Sequence, residues 1–223
     1  MMLVGRLIGR PTTGGNGMAR PEWELRTVPP DLRRAYLADG HWDDDTFSRI
    51  VADGLRRTPT NEFRVWSSTR PSVHTMADCD RAAHGLAAGL AARGIGEGDV
   101  VAFWMPNSFE AGITFYALAL LGVCIVPIVH FYGPREVDHI LAQSGARALL
   151  TFDRFGQRDF AADLDRATAR ADALELVAMV GDAAPGTVPF ADLVREGDRV
   201  VPASPDPDAP LVVGYTSGTT AEP

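Results

Sequence analysis

Apolar residues in this chain gather into short continuous runs, separated by stretches in which they recur every three or four positions. These are the signatures of buried strands and amphipathic helices. Thr75 followed by Asp78 gives a capping-box start, T-x-x-D, and Ala82, Leu86 and Leu90 then mark one face of a helix that Gly94 ends. The side carrying Asp80 and Arg81 is expected to face solvent. "GIGEGD" turns the chain into "VVAFWM", an apolar run typical of a strand covered on both faces, and Pro106, Asn107 and Ser108 open the next helix. Residues 109–129, "FEAGITFYALALLGVCIVPIV", are long and apolar enough to suggest a membrane span. Glu110, Gly122 and Pro127 divide the stretch instead into a helix over 108–121 and a strand "VCIVPIV". Pro134 suits the first turn of a helix whose Val137, Ile140 and Leu141 share a face and which Gly145 stops. "ARALLT" reads as a strand, 159–170 as an amphipathic helix and "ALELVAMV" as a further strand.

Strand and helix therefore alternate with short connections. The pattern predicts an α/β fold with a mainly parallel sheet, helices on both faces and right-handed crossovers. Residues 202–210, "PASPDPDAP", read as a Pro/Asp-rich linker, because prolines forbid regular structure and disfavour helix in the residues before them. The run "LVVGY" after it reads as a strand. The expected organisation is a flexible tail over 1–30, one α/β unit over 31–201, the linker over 202–210, and a strand with the start of a loop over 211–223. Residues 1–9 are apolar but too short for a secretory core, and Met18 is an alternative start. No repeat at solenoid periods is visible.

Composition narrows the function. With 223 residues and 46% hydrophobic content the chain has enough material for a real core. A formal net charge of −8 argues against nucleic acid and anionic membranes as partners. The two cysteines, Cys79 and Cys124, stand in separate apolar contexts, which favours a reducing cytoplasm over a disulfide framework. All 21 basic residues counted as Lys+Arg are arginines, so no lysine is present to form a Schiff base or clamp a phosphate.

The candidate chemistry is concentrated in "GYTSGTTAEP", residues 214–223. Hydroxyls and backbone N–H groups are donors that can wrap phosphate oxygens, and Gly218 permits close backbone approach and positive φ. A phosphate cradle and a plain turn after an edge strand both satisfy this composition. A Walker loop is excluded by the missing lysine. A hydrolase elbow is excluded because Tyr215 and Thr219 occupy the positions flanking Ser217 where glycines belong. "GIGEGD" fails as a dinucleotide fingerprint, since Asp99 replaces the third glycine and the stretch precedes its strand.

The loop resembles the phosphate motif of the adenylate-forming (AMP-binding) superfamily of acyl-CoA synthetases, acid-CoA ligases and peptide-synthetase adenylation domains. That motif reads Tyr-Thr-Ser-Gly-Thr-Thr-Gly-x-Pro-Lys-Gly, against "YTSGTTAEP" here. The upstream order also resembles the family: a helix from "HTMADCDRAAHGL", the turn "GIGEGD", a strand into "PNS", and a helix-strand unit ending in "VPI". Such membership implies the first subdomain of the family's N-terminal domain, with Thr216, Ser217, Gly218, Thr219 and Thr220 embracing the phosphates of ATP. The implied activity is acyl-adenylate formation from a carboxylic acid followed by transfer to CoA, with Mg2+ offsetting phosphate charge. Ala221 departs from the motif's glycine, and the chain ends at Pro223 before the motif's Lys-Gly. No catalytic residue and no metal ligand are therefore assigned, and the isolated chain is expected to be inactive, as a truncated fragment or as a binding module needing a complementing chain.

Other polar clusters have plainer readings. His130, Phe131 and Tyr132 follow a parallel strand, and are expected as strand-end packing rather than as a ligand lining. Asn107 and Ser108 read as a helix N-cap, "HWDDD" at 41–45 as acids capping a helix rather than metal ligands, and the pairs Arg33/Arg34 and Arg56/Arg57 as solvated helix faces.

Overall fold

The computed structural model describes residues 28–216, together with the backbone of Arg6–Leu7, Thr12–Thr13, Ala19–Arg20 and Trp23–Glu24. These four pairs form two small antiparallel ladders. The rest of the expected tail lies outside the described residues. Two helices open the described chain, α1 (Pro30–Ala38) and α2 (Phe47–Arg57). A hairpin of β1 (Glu62–Val65) and β2 (Ser72–Thr75) follows, and leads into α3 (Met76–Ala91). α2 is the helix expected after the acids at 41–45 and buries Ser48, Val51, Ala52 and Leu55, whereas the hairpin does not stand out in the apolar pattern, since only Val65 of its two strands is buried.

The core is a parallel sheet. Its strands are β3 (Val100–Met105), β4 (Cys124–Val129), β5 (Ala148–Phe152), β6 (Leu176–Val180) and β7 (Val188–Pro189), in the order β7-β6-β5-β3-β4. Every pairing within it is parallel. Between β3 and β4 runs α4 (Phe109–Leu121), and between β4 and β5 runs α5 (Pro134–Ser144). The β3 to β4 and β4 to β5 connections step in opposite directions across the sheet, so right-handed crossovers put α4 on one face and α5 on the other. α2 and α3 pack beside α4, while the short α6 (Leu164–Ala167) packs with α5. The expected architecture is therefore present.

Local signals explain most boundaries. Thr75 and Asp78 form a complete capping box on α3, Ser108 caps α4 by accepting from the Ala111 N–H at 3.1 Å, and Gly145 ends α5 with φ 63°. The membrane-like stretch resolves into the 13-residue α4 and the six-residue β4, and no helix among the described residues is long and apolar enough to cross a membrane.

Three expectations need correction. The helix predicted over 159–170 shrinks to α6. Arg158–Asp159 is drawn into a hairpin with Arg154–Phe155, and the Phe160 and Ala161 N–H groups donate to the carbonyl of Asp153 rather than starting a helix. The strand predicted from "LVVGY" is a single bridge, Val212 beside Ile125. Asp80 is buried, only 9% exposed, rather than facing solvent.

Residues 193–213 cross the helical layer as an irregular strap. At Gly85 of α3 an added Cβ would stand 2.6 Å from the carbonyl oxygen of Arg195, and at Gly89 it would fall inside the carbonyl of Leu193. Both glycines are thus seats for passing backbone. Leu193 itself is fully buried, and Ala203 N donates to the Leu120 carbonyl of α4 at 2.8 Å. Gly89→Ala should cost about 2 kcal/mol or more by forcing strap and helix apart. Gly54→Ala in α2, where nothing lies within 4 Å, should instead stabilise by about 0.5–1 kcal/mol through helix propensity. Urea unfolding of the two variants reads these opposite signs.

Candidate functional site

Parallel strands all end on one side, and their carboxyl ends form the edge where α/β proteins hold ligands. Here the connections after β3 and β5 leave in opposite directions, so the switch point of the sheet lies between these two strands. Beyond β3, Asn107 and Ser108 start α4. The β1–β2 loop reaches the same edge. Its Arg70 pairs with Glu110 at 2.9 Å, and its guanidinium sits 5.2 Å from the ring centre of Phe152 at the end of β5. Beneath that loop lies a cavity of about 450 Å³, lined by Phe63, Trp66, Phe103 and Asn107 among others. Trp66 is 85% exposed, with the Arg64 guanidinium 5.6 Å over its ring.

The turn after β4 carries His130, Phe131 and Tyr132. Arg158 fixes it: its Nη2 donates to the Tyr132 carbonyl at 2.9 Å and pairs with Asp163 at 3.0 Å, while the guanidinium lies against Trp104 and Phe160 at 5.1 and 5.6 Å. Tyr132 is half-buried, as strand-end packing requires, but Phe131 is 69% exposed.

The strap brings Tyr215 and Thr216 to this edge. Ile125 N of β4 donates to the Leu211 carbonyl at 2.8 Å, and Val213 N returns a bond to the Ile125 carbonyl at 2.9 Å. This is parallel geometry, so residues 211–213 extend the sheet beyond β4 and run toward the carboxyl edge. Counted along both chains from that bridge, Tyr215 and Thr216 come level with Ile128 and Val129, the last residues of β4. Thr216 is exposed, and burial pushes the Tyr215 phenol up to about 12. Ser217, Gly218, Thr219 and Thr220, the other predicted site residues, lie outside the described residues.

A polar cluster holds the strap on α3. Arg199 donates to both oxygens of Asp80, at 2.6 and 3.1 Å. Val200 N donates to Nδ1 of His84 at 3.3 Å, and Nε2 of His84 faces Asp80 at 3.6 Å. An acceptor at Nδ1 requires the neutral imidazole with its proton on Nε2. Sequence spacing shows only that Asp80 and His84 are one turn apart; the partner is 119 residues away. Farther along, Arg33 of α1 pairs with Asp208 at 2.6 Å, so one of the expected solvated arginines anchors the strap. At 41–45 the acids precede the cap rather than supplying it: Thr46 caps α2 by accepting from Arg49 N, and Asp45 pairs with Arg49. Among the described residues no group of three or more His, Cys, Asp or Glu is placed to hold a metal.

A parallel sheet covered on both faces is the architecture of the N-terminal domains of adenylate-forming enzymes. The model of the AMP-binding enzyme family matches residues 52–223, and the chain belongs to that family. It is 30% identical over 200 residues to the salicyl-AMP ligase / salicyl-S-ArCP synthetase of Mycobacterium tuberculosis, covering 87% of this chain and 35% of that protein. Identity to the long-chain-fatty-acid–CoA ligase FadD13 of the same species is 34% over 181 residues, covering 76% of this chain and 33% of the relative. Among solved structures, apo MbtA of Mycobacterium smegmatis superposes with a TM-score of 0.71 at 30% identity, over 86% of this chain and 35% of that one. The anthranilate CoA ligase AuaEII, solved with anthranoyl-AMP, shares the fold with a TM-score of 0.68 at 21% identity, over 79% and 33% of the two chains. The chain thus spans about a third of the length of these proteins.

Burial, then the nearby charges of Arg199 and Arg56, hold His84 below the ordinary imidazole value against the opposing pull of Asp80. The folded state therefore favours neutral His84 more than the unfolded chain does. Its contribution is complete above about pH 6.5, the unfolded value, and is lost as pH falls through the lower folded value. Urea unfolding at a series of pH values should show stability dropping below about pH 6.5. His84→Asn, whose amide oxygen can accept from Val200 N, should lose that part of the slope.

Proposed function

We propose that the chain supplies the nucleotide-phosphate half of an ATP-dependent ligase that activates a carboxylic acid as its acyl-adenylate and passes the acyl group to CoA. The observation that carries this reading is the parallel pairing of residues 211–213 with β4, which runs the chain toward the carboxyl edge of the sheet up to Thr216, the first hydroxyl of the motif. Membership in the AMP-binding family supports it. In this scheme Thr216, Ser217, Thr219 and Thr220 donate hydroxyls to phosphate oxygens, and Gly218 lets backbone N–H groups approach them.

The chemistry calls for such a grip. A carboxylate oxygen attacks the α-phosphorus of ATP, the bond from that phosphorus to the bridging oxygen breaks, and pyrophosphate leaves. Donors fixed around the phosphates stabilise the charge moving onto the departing group without reorganising during the step. The thiol sulfur then attacks the acyl carbon and AMP leaves. CoA is proposed as acceptor by analogy with the CoA ligases among the relatives; the printed name of the salicyl relative gives ArCP instead. Mg2+, expected from the family resemblance, would offset the charge on the ATP phosphates. Two free, buried thiols, Cys79 and Cys124, support a reducing cytoplasmic setting. The complete reaction is assigned to an assembly that includes the remaining two thirds of the relatives' length.

Two measurements test the reading. Calorimetric titration of the chain with ATP should show binding at millimolar nucleotide or tighter, and Ser217→Ala or Thr219→Val should weaken it by about tenfold, the value of one hydrogen bond to a charged group. No heat of binding at millimolar ATP rejects the phosphate role. Carboxylate-dependent ATP–pyrophosphate exchange, assayed after adding a chain that covers the part of the relatives' length not matched here, tests adenylation; chasing the adenylate with CoA or a carrier-protein thiol decides the acceptor.

A further inference from the structure

Between Leu193 and the bridge at Val212 the strap has no ladder of its own, so its path depends on what it borrows from the helices beneath it. Apolar packing secures only part of it: Val194, Val200 and Leu211 lean on the core, but Val201 is 90% exposed, and every second or third residue from 202 to 210 is a proline. Backbone contacts alone do not fix the register. The bond from Ala203 N to the Leu120 carbonyl uses a donor that Ser204 also possesses. Side chains must make the choice. Asp80 and His84 are 9% and 3% exposed, on a helix whose glycines bring the strap backbone into contact. The fork of Arg199 fits both Asp80 oxygens, and the next residue's N–H meets His84. A bidentate pair at a buried carboxylate admits one residue in one orientation, and register selection is the best-attested role of such buried polar groups.

We propose that Asp80, His84 and Arg199 form a positioning latch that sets the register of the strap and thereby the placement of the phosphate loop against ATP. None of the three touches nucleotide. A slip of one residue would carry the loop about 3.3 Å along the sheet edge and exchange the faces of Leu211 and Val212, enough to remove any phosphate contact. The effect on ATP rests on the function proposed above; the control of register does not.

Hydrogen exchange on the 223-residue chain tests the latch directly. Arg199→Gln should speed exchange at the Ile125 and Val213 amides at least tenfold while leaving Leu149 and Leu150, in the central strand β5, unchanged. Arg199→Lys, which keeps the charge but loses the fork, should give an intermediate rate, and ATP affinity should fall in the same order. Undiminished protection of Ile125 and Val213 in Arg199→Gln overturns the proposal. So does equal acceleration at Leu149 and Leu150, because the pair would then merely support the whole fold. If Arg199→Gln does not fold, the Asp80→Asn/Arg199→Gln double variant, which removes both charges together, carries the same comparison. A parent chain that binds no ATP removes the phosphate role, and the exchange rates still decide the latch.

Discussion

A strand bonded on both sides and covered on both faces penalises every unpaired polar group, and β3 is such a strand, with the Trp104 indole N–H alone left buried without a partner among its described side chains. Its neighbours β4 and β5 take up its backbone, and Val100, Val101, Ala102 and Trp104 are almost wholly buried. Even Thr151 of β5 survives there only by donating its hydroxyl to the Trp104 carbonyl at 3.0 Å. Polar chemistry is therefore expelled along the strand axis to the sheet's ends. At the amino end, Arg147 is held by Asp99 at 2.7 Å and Glu175 at 2.6 Å, one guanidinium shared between two carboxylates. The carboxyl end gathers exposed Phe131 and, at the end of the strap, exposed Thr216.

The same constraint explains why the strap matters. A segment can reach the carboxyl edge from outside the sheet, as the β1–β2 loop does, but residues 211–213 approach it along β4 and contribute one bridge instead of a full strand. The missing ladder bonds are replaced by contacts with α1, α3 and α4, spread over residues 193–208. Position at the edge is thus specified largely from the helical face and only finally by the sheet.

Much of the fold was legible because parallel strands and their helices write themselves into short apolar runs and capping residues. β3, α4, β4, α5, β5 and β6 all fall close to where periodicity and Gly or Pro punctuation put them. The helix expected over 159–170 failed because tertiary bonds to the Asp153 carbonyl outweighed a local amphipathic pattern. Asp80 was misread for a related reason. An acid beside Arg81 on a helix looks solvated, and the Arg199 that justifies its burial lies in a segment with no periodicity at all. Of the hydroxyl-rich segment, whose residues stand together in sequence, only Thr216 among the predicted site residues is described, exposed and level with the end of β4.

The seat of the strap on α3 divides the freedom to vary unevenly between its two sides. Gly85 and Gly89 meet the strap through main-chain atoms, and the groups they meet at 193 and 195 are main-chain carbonyls. Arg195 is recognised there for its position and not for its side chain, which points away into solvent. Over generations that position can drift through many residue types without moving the strap, whereas the glycines facing it have almost no neutral neighbours in sequence space. Variation will accumulate on the outer surface of this contact while its inner surface stays fixed.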